Sequence, residues 1–247
     1  MLPVLQIGKF KIMTFPCILL LAFFVCLIAM IFIEKYQYEY LISVQRMFLS
    51  VLVMSGIGGK TLYVISMLCQ GEKEYLHLIN GFVFYGGLIG AFIGIVMWCK
   101  KHHKNILIYT DIFVSVLPLG QAVGRIGCYF NGCCYGKNYN GILAVEYIIE
   151  GKKCKVFPTW FIEAGVCLMI YVAMHFINKE MEGLKTAIYI MVYAVSRFII
   201  EFYRGDEIRG IWGYISTSQI VSLCFMGIAI ILIRAVVCKG KRGYREW

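Results

Sequence analysis

Runs of about twenty apolar residues recur along almost the whole chain, and that repetition restricts the fold more than any motif does. As a helix, such a run matches the hydrocarbon core of a bilayer, where every backbone amide must be satisfied within helices or a closed barrel. Of the 247 residues, 60% are hydrophobic and only 15% charged, against roughly 25% charged in a soluble domain. The chain reads as an all-α, polytopic helical membrane protein with about seven transmembrane helices. The spans fall at about 12–33, 40–69, 78–98, 106–123, 161–177, 187–203 and 215–237. No polar linker is long enough to separate two domains, so residues 1–247 read as a single transmembrane domain. Its longest polar segment lies around residues 137–157, on the outer side.

The formal net charge of +10 needs no nucleic-acid partner, because basic loops of membrane proteins set topology and attract anionic headgroups. Positive charge gathers in Lys100-Lys101-His102-His103-Lys104 and in the tail from Lys239. This places the N-terminus outside and the C-terminus inside the cell. Residues 13–33 are too long for a signal-peptide core and lack a small-residue cleavage site. The eleven cysteines do not form a disulfide framework, and seven of them (Cys17, Cys26, Cys69, Cys99, Cys167, Cys224 and Cys238) are scattered through apolar runs or their edges. In the third span, Gly86, Gly90 and Gly94 stack on one helical face, a surface for close approach of another helix.

One stretch breaks the apolar pattern: Pro118 to Gly136, PLGQAVGRIGCYFNGCCYG. Its glycines each weaken a helix by about 1 kcal/mol relative to alanine, so the run reads as a poor membrane helix. Arg125 has no acidic neighbour in sequence, so its counter-charge must come from elsewhere in the fold or from a ligand. The sixth span ends in RFIIEFYR. Arg197, Glu201 and Arg204 there fall within about 60° on one helical face. Charges at membrane depth cost roughly 2.5–3.5 kcal/mol each on insertion scales, which marks them as functional candidates. The ladder reads either as an internally paired structural element or, with Arg125, as a surplus of guanidinium forks suited to a phosphate. Cys128, Cys133 and Cys134 lack the ligand spacing of a zinc site, since two of them are adjacent and no histidine is near. No metal or cofactor is expected. A thiol lowered in pKa by Arg125 is the alternative to simple packing.

These segments together resemble the bacterial prolipoprotein diacylglyceryl transferase family. Tyr85-Gly86-Gly87-Leu88-Ile89-Gly90 resembles its HGGLIG element. Gly124-Arg125-Ile126-Gly127, through Asn131-Gly132 to Gly136, resembles the GRxGNFxNxExxG signature. Pro158-Thr159 with Glu163 resembles HP[ST]QLYE, Arg197 to Arg204 resembles RFxxEFxR, and Ser216-Thr217-Ser218-Gln219 resembles the STGQ that opens the last helix.

The resemblance implies a multi-pass enzyme of the bacterial plasma membrane. It would move a diacylglyceryl group from phosphatidylglycerol to the lipobox cysteine of a prolipoprotein signal peptide. Arg125 and Arg197 would stabilise the departing phosphate, with Glu201 orienting them and Tyr85 as a weak proton acceptor. Arg204, Asn131, Gly86, Gly87 and Gly136 would hold substrate. The pattern departs from the family's at Tyr85 (for histidine), Cys128 (asparagine), Cys133 (glutamate), Phe157 (histidine) and Trp160 (glutamine), and Phe15 stands where a tyrosine is expected. These departures leave room for a related transferase with another lipid donor or acceptor, or for a non-catalytic phospholipid-binding protein.

Overall fold

A computed structural model of the chain describes residues 4–7, 10–33, 38–69, 83–149, 152–177, 181–205, 211–212 and 215–243. A hairpin of β1 (Val4–Ile7) and β2 (Phe10–Met13) leads into α1 (Thr14–Ile33). The helices α2 (Tyr38–Cys69), α3 (Phe84–Lys101) and α4 (Ile106–Asn131) follow. A second hairpin, β3 (Val145–Ile149) with β4 (Lys152–Val156), occupies the polar segment. Then come α5 (Thr159–Phe176), α6 (Leu184–Glu201), the short pair β5 (Ile211–Trp212) and β6 (Ile215–Ser216), and α7 (Thr217–Gly243).

Among the described residues five helices, α1, α2, α4, α5 and α7, are long and apolar enough to cross a membrane. The α6 helix does not qualify, because it carries Lys185, Arg197 and Glu201 within 18 residues. Large apolar side chains such as Leu20, Phe24, Phe92, Met169 and Ile231 stay exposed on the helix surfaces. This is the outward face expected when lipid rather than water is the solvent.

The chain divides into two compact units, Glu34–Phe113 and the combination of Met1–Ile33 with Val114–Trp247. In the first, α2 and α3 meet almost backbone to backbone. A Cβ on Gly86 would run into the carbonyl oxygen of Gly58, one on Gly90 into that of Met54, and one on Gly94 would sit 3.1 Å from that of Ser50. The stripe read from sequence is therefore a contact surface, and dispersion across it replaces the hydrophobic effect that lipid cannot supply. Ser50 adds a hydroxyl bond to the Gly94 carbonyl at 3.4 Å. The start of the expected third span, residues 78–82, lies outside the described residues.

In the second unit the expectation that Pro118–Gly136 makes a poor helix is overturned, because α4 runs unbroken through Pro118, Gly120, Gly124 and Gly127 to Asn131. Tertiary packing outweighs propensity here. Gly120 lies where a Cβ would come 2.7 Å from the Cys26 sulfur, and Gly127 where one would come 3.1 Å from Ile18, so both admit α1 to close range. Gln121 then ties α4 to α6 by accepting a bond from the buried Tyr189 hydroxyl at 2.9 Å. At the start of α7, Ser216 and Gln219 cap each other: the Gln219 amide donates to Ser216 Oγ at 3.2 Å, and Gln219 Oε1 accepts from the Ser216 amide at 3.0 Å.

Gly90→Val should lower stability in detergent by about 1–3 kcal/mol through overpacking against Met54, seen as a lower unfolding midpoint. Gly56→Ala should not, since a Cβ there meets nothing within 4 Å. Equal midpoints for the two variants would contradict the close α2–α3 contact.

Candidate active site

The end of α4 is a glycine-capped reversal. Gly132 takes φ 81°, and the Cys133 amide donates back to the Cys128 carbonyl at 3.2 Å, the 6→1 bond of a Schellman motif. Cys134 follows at φ 59°, a left-handed conformation uncommon for a residue with a side chain. The turn is clamped from α5, where the Thr159 hydroxyl donates to the Cys134 carbonyl at 2.7 Å and the Trp160 indole to the Cys133 carbonyl at 2.6 Å. Trp160, which stands in for a polar family residue, thus orders the turn by hydrogen bonding and is itself buried.

Beyond the turn, the backbone of residues 135–139 is strapped on both sides. The Lys137 amide donates to the Tyr203 carbonyl at 2.8 Å and the Gly205 amide to that of Tyr135 at 2.9 Å, so the strap pairs with the end of α6. On its other edge the Phe157 amide donates to the Lys137 carbonyl at 3.0 Å, and the Tyr139 amide to that of Lys155 at 2.9 Å. Gly136 has no room for a Cβ, which would strike the Phe157 carbonyl. The strap fixes the C-terminal end of α6, and therefore Arg204, relative to the α4 turn.

Within this frame five side chains from three segments form one ionic chain. Arg125 on α4 pairs with Glu163 on α5 at 2.6 Å, and Glu163 reaches Arg197 on α6 with its other oxygen at 3.1 Å. Arg197 pairs with Glu201 at 3.2 Å, and Glu201 with Arg204 at 3.6 Å. The carboxylates are the most sheltered members, with side chains 4% and 1% exposed, against 16%, 13% and 10% for the arginines. Among the described residues, three guanidiniums share two carboxylates in this chain. Tyr193 adds a hydroxyl bond to Glu163 at 3.5 Å. The sixth-span ladder pairs internally and, through Glu163, joins Arg125.

The sulfurs of Cys128, Cys133 and Cys134 lie within 4.8 Å of one another. Linear spacing argued against such a cluster, but the reversal at Gly132 folds Cys133 back over Cys128. Arg125 Nη1 approaches Cys134 Sγ at 3.9 Å, and Asn131 Nδ2 approaches Cys133 Sγ at 3.8 Å. Hydrogen bonds from the Cys128 and Cys133 thiols, with Arg204 and Arg125 nearby, hold the Cys134 thiol below its ordinary range.

Of the residues singled out from sequence, Arg125, Arg197, Glu201 and Arg204 come together, with Asn131 and Gly136 on the turn and strap beside them. Tyr85, Gly86 and Gly87 open α3 in the other unit, where Gly86 packs against α2, and the Tyr85 side chain lies outside the described residues. Sequence reasoning left Glu163 without a role, although it joins Arg125 to Arg197. Its signal was a glutamate in the second turn of an apolar span, where an unpaired carboxylate would be costly.

Glu163→Ala leaves two sheltered guanidiniums without their shared partner and should cost about 3–5 kcal/mol in unfolding free energy. Chemical denaturation in detergent micelles measures this, and an unchanged midpoint would show that Glu163 does not hold the chain together.

The family described as prolipoprotein diacylglyceryl transferase matches residues 3–235. The phosphatidylglycerol–prolipoprotein diacylglyceryl transferase of Clostridium tetani is 34% identical over 187 residues, covering 72% of this chain and 75% of the relative. Transferase 2 of Clostridium perfringens is 33% identical, over 77% of this chain and 78% of its own length. The Rickettsia bellii enzyme is 30% identical, over 74% of each. By the family match along nearly its whole length, this chain belongs to the prolipoprotein diacylglyceryl transferase family.

Proposed function

We propose that the protein transfers the diacylglyceryl group of phosphatidylglycerol to the lipobox cysteine thiol of a prolipoprotein, the activity carried in the names of its relatives. The acceptor sulfur attacks the diacylglyceryl carbon that bears the phosphate. The carbon–oxygen bond breaks, its electron pair leaves with glycerol phosphate, and a thioether forms. What the protein must supply is positive charge for the departing phosphate, placed in advance and shielded from water.

The observation that carries this reading is the Arg125–Glu163–Arg197–Glu201–Arg204 chain, which gathers three guanidiniums around two sheltered carboxylates. Glu163 and Glu201 each hold two arginines, so the guanidiniums are oriented before substrate arrives. Arg125 and Arg197 serve the leaving phosphate, and Arg204, fixed by the Gly136 strap, serves the headgroup. Asn131 offers an amide at the exposed end of α4 for a glycerol or phosphate oxygen. The apolar helix surfaces accept the acyl chains from the bilayer. The protein sits as a multi-pass protein in the bacterial plasma membrane, with the β3–β4 hairpin and the N-terminus outside and the basic tail in the cytoplasm.

Purified protein with phosphatidylglycerol and a lipobox peptide should yield a diacylglyceryl thioether. Arg125→Ala should reduce the rate about 10²–10³-fold, the loss typical of removing one preorganised donor. Arg125→Lys should recover little, because an ammonium lacks the guanidinium fork. Arg125→Ala turning over at the wild-type rate would refute this assignment, and phospholipid binding without any product would make the protein a lipid binder instead.

A further inference from the structure

The transfer needs a deprotonated acceptor sulfur, and a thiol of ordinary pKa is mostly protonated at neutral pH. The buried carboxylates of the site are committed to guanidiniums: Glu163 bridges Arg125 and Arg197, and Glu201 bridges Arg197 and Arg204. What the site offers instead is sulfur. Cys128, Cys133 and Cys134 present three sulfurs within 4.8 Å of one another, and among the described residues no fourth histidine, cysteine or carboxylate joins them.

We propose that these three cysteines form a zinc site of the catalytic kind, three protein thiolates and one open position, and that the open position takes the acceptor cysteine. This rests on the transferase reading given above. A zinc–sulfur bond of about 2.3 Å requires sulfurs about 3.8 Å apart around a tetrahedral ion, so the cluster needs to close by about 1 Å at most. The ligands are held in advance. The Schellman reversal fixes Cys133 over Cys128, and bonds from Thr159 and Trp160 fix the carbonyls of Cys134 and Cys133. Cys128 is buried, while Cys133 and Cys134 are only half-buried, so the site is open on one side, unlike a closed structural site.

Position also fits. Arg125 touches both parts, with Nη1 at 3.9 Å from Cys134 Sγ and Nη2 paired to Glu163. The thiol and phosphate sites are therefore one side chain apart, as a displacement between them requires.

The step balances without an oxidant. On binding, the acceptor thiol loses its proton to water, since a thiol coordinated to zinc is deprotonated outright. Its sulfur lone pair forms the bond to the diacylglyceryl carbon, the carbon–oxygen bond breaks toward the phosphate, and the neutral thioether leaves the metal. The released proton balances the second charge on glycerol phosphate.

Cobalt(II) provides the test, because it replaces zinc and absorbs when bound to sulfur. The full-length protein, stripped with a chelator and titrated with cobalt, should bind one ion with a sulfur-to-metal charge-transfer band. A lipobox peptide should perturb that spectrum, and the same peptide with its cysteine changed to serine should not. Cys128→Ser and Cys134→Ser should abolish the band, whereas Cys224→Ser, on the exposed face of α7, should keep it. Stripping should slow transfer at least about tenfold, and added zinc should restore it. The stripping arm uses the unmutated chain, so it does not depend on whether the variants fold. Full transfer by stripped protein, or a band that survives Cys128→Ser and Cys134→Ser, overturns the zinc site and leaves the transferase reading standing. A peptide-responsive band with no transfer under any condition supports the thiol-binding site and overturns the transferase reading.

Discussion

The site depends on one carboxylate facing two ways. Glu163 sits in the second turn of α5, almost without solvent, and spends one oxygen on Arg125 and the other on Arg197. Either arginine alone would be a poorly compensated charge among apolar helices, and either pair alone would be neutral. The bridge keeps two guanidiniums of like charge side by side, and Glu201 repeats the device between Arg197 and Arg204. A buried ion pair is weak grounds for expecting stability. What the chain does show is three guanidiniums from α4 and the α6 end held in place by two sheltered carboxylates.

That chain needs an accurate frame, and the frame is backbone. The glycine-capped end of α4, the start of α5 and the end of α6 are joined by main-chain bonds through residues 135–139. Gly136 and Gly205 approach each other closely in this strap, where a Cβ on Gly205 would lie 2.6 Å from the Gly136 carbonyl. Aromatic rings seal its outer side: Phe157 stacks on Tyr203 with ring centres 4.8 Å apart. Two of the departures from the family pattern, Phe157 and Trp160, thus have structural work in the turn and strap.

Much of this was legible in the sequence because the membrane leaves few choices. Apolar run length placed seven helices, and the charges that interrupt the runs pointed to Arg125, Arg197, Glu201 and Arg204. The Gly86–Gly90–Gly94 stripe was readable because period and residue size alone decide it. Three things were not readable. Glu163 was recognisable only as part of a motif, since nothing local says that a carboxylate on α5 will meet arginines from α4 and α6. Pro118 and the glycines of α4 looked like helix breakers because propensity scales describe chains in water, whereas here α1 fills the space that Gly120 and Gly127 leave. The cysteine cluster was hidden because ligand-spacing rules assume regular loops, and a reversal through Gly132 brings residues 128, 133 and 134 together at a spacing those rules exclude.

The central claim is that Arg125 and Arg197, from different helices, act on one phosphate. A double-mutant cycle on the affinity for glycerol phosphate, the leaving group, tests it most directly. With wild type, Arg125→Ala, Arg197→Ala and the double variant compared by calorimetry in micelles, a shared phosphate gives a coupling energy of about 1 kcal/mol or more between the two positions. Additive losses, or no loss from either substitution, would contradict a single phosphate held between them.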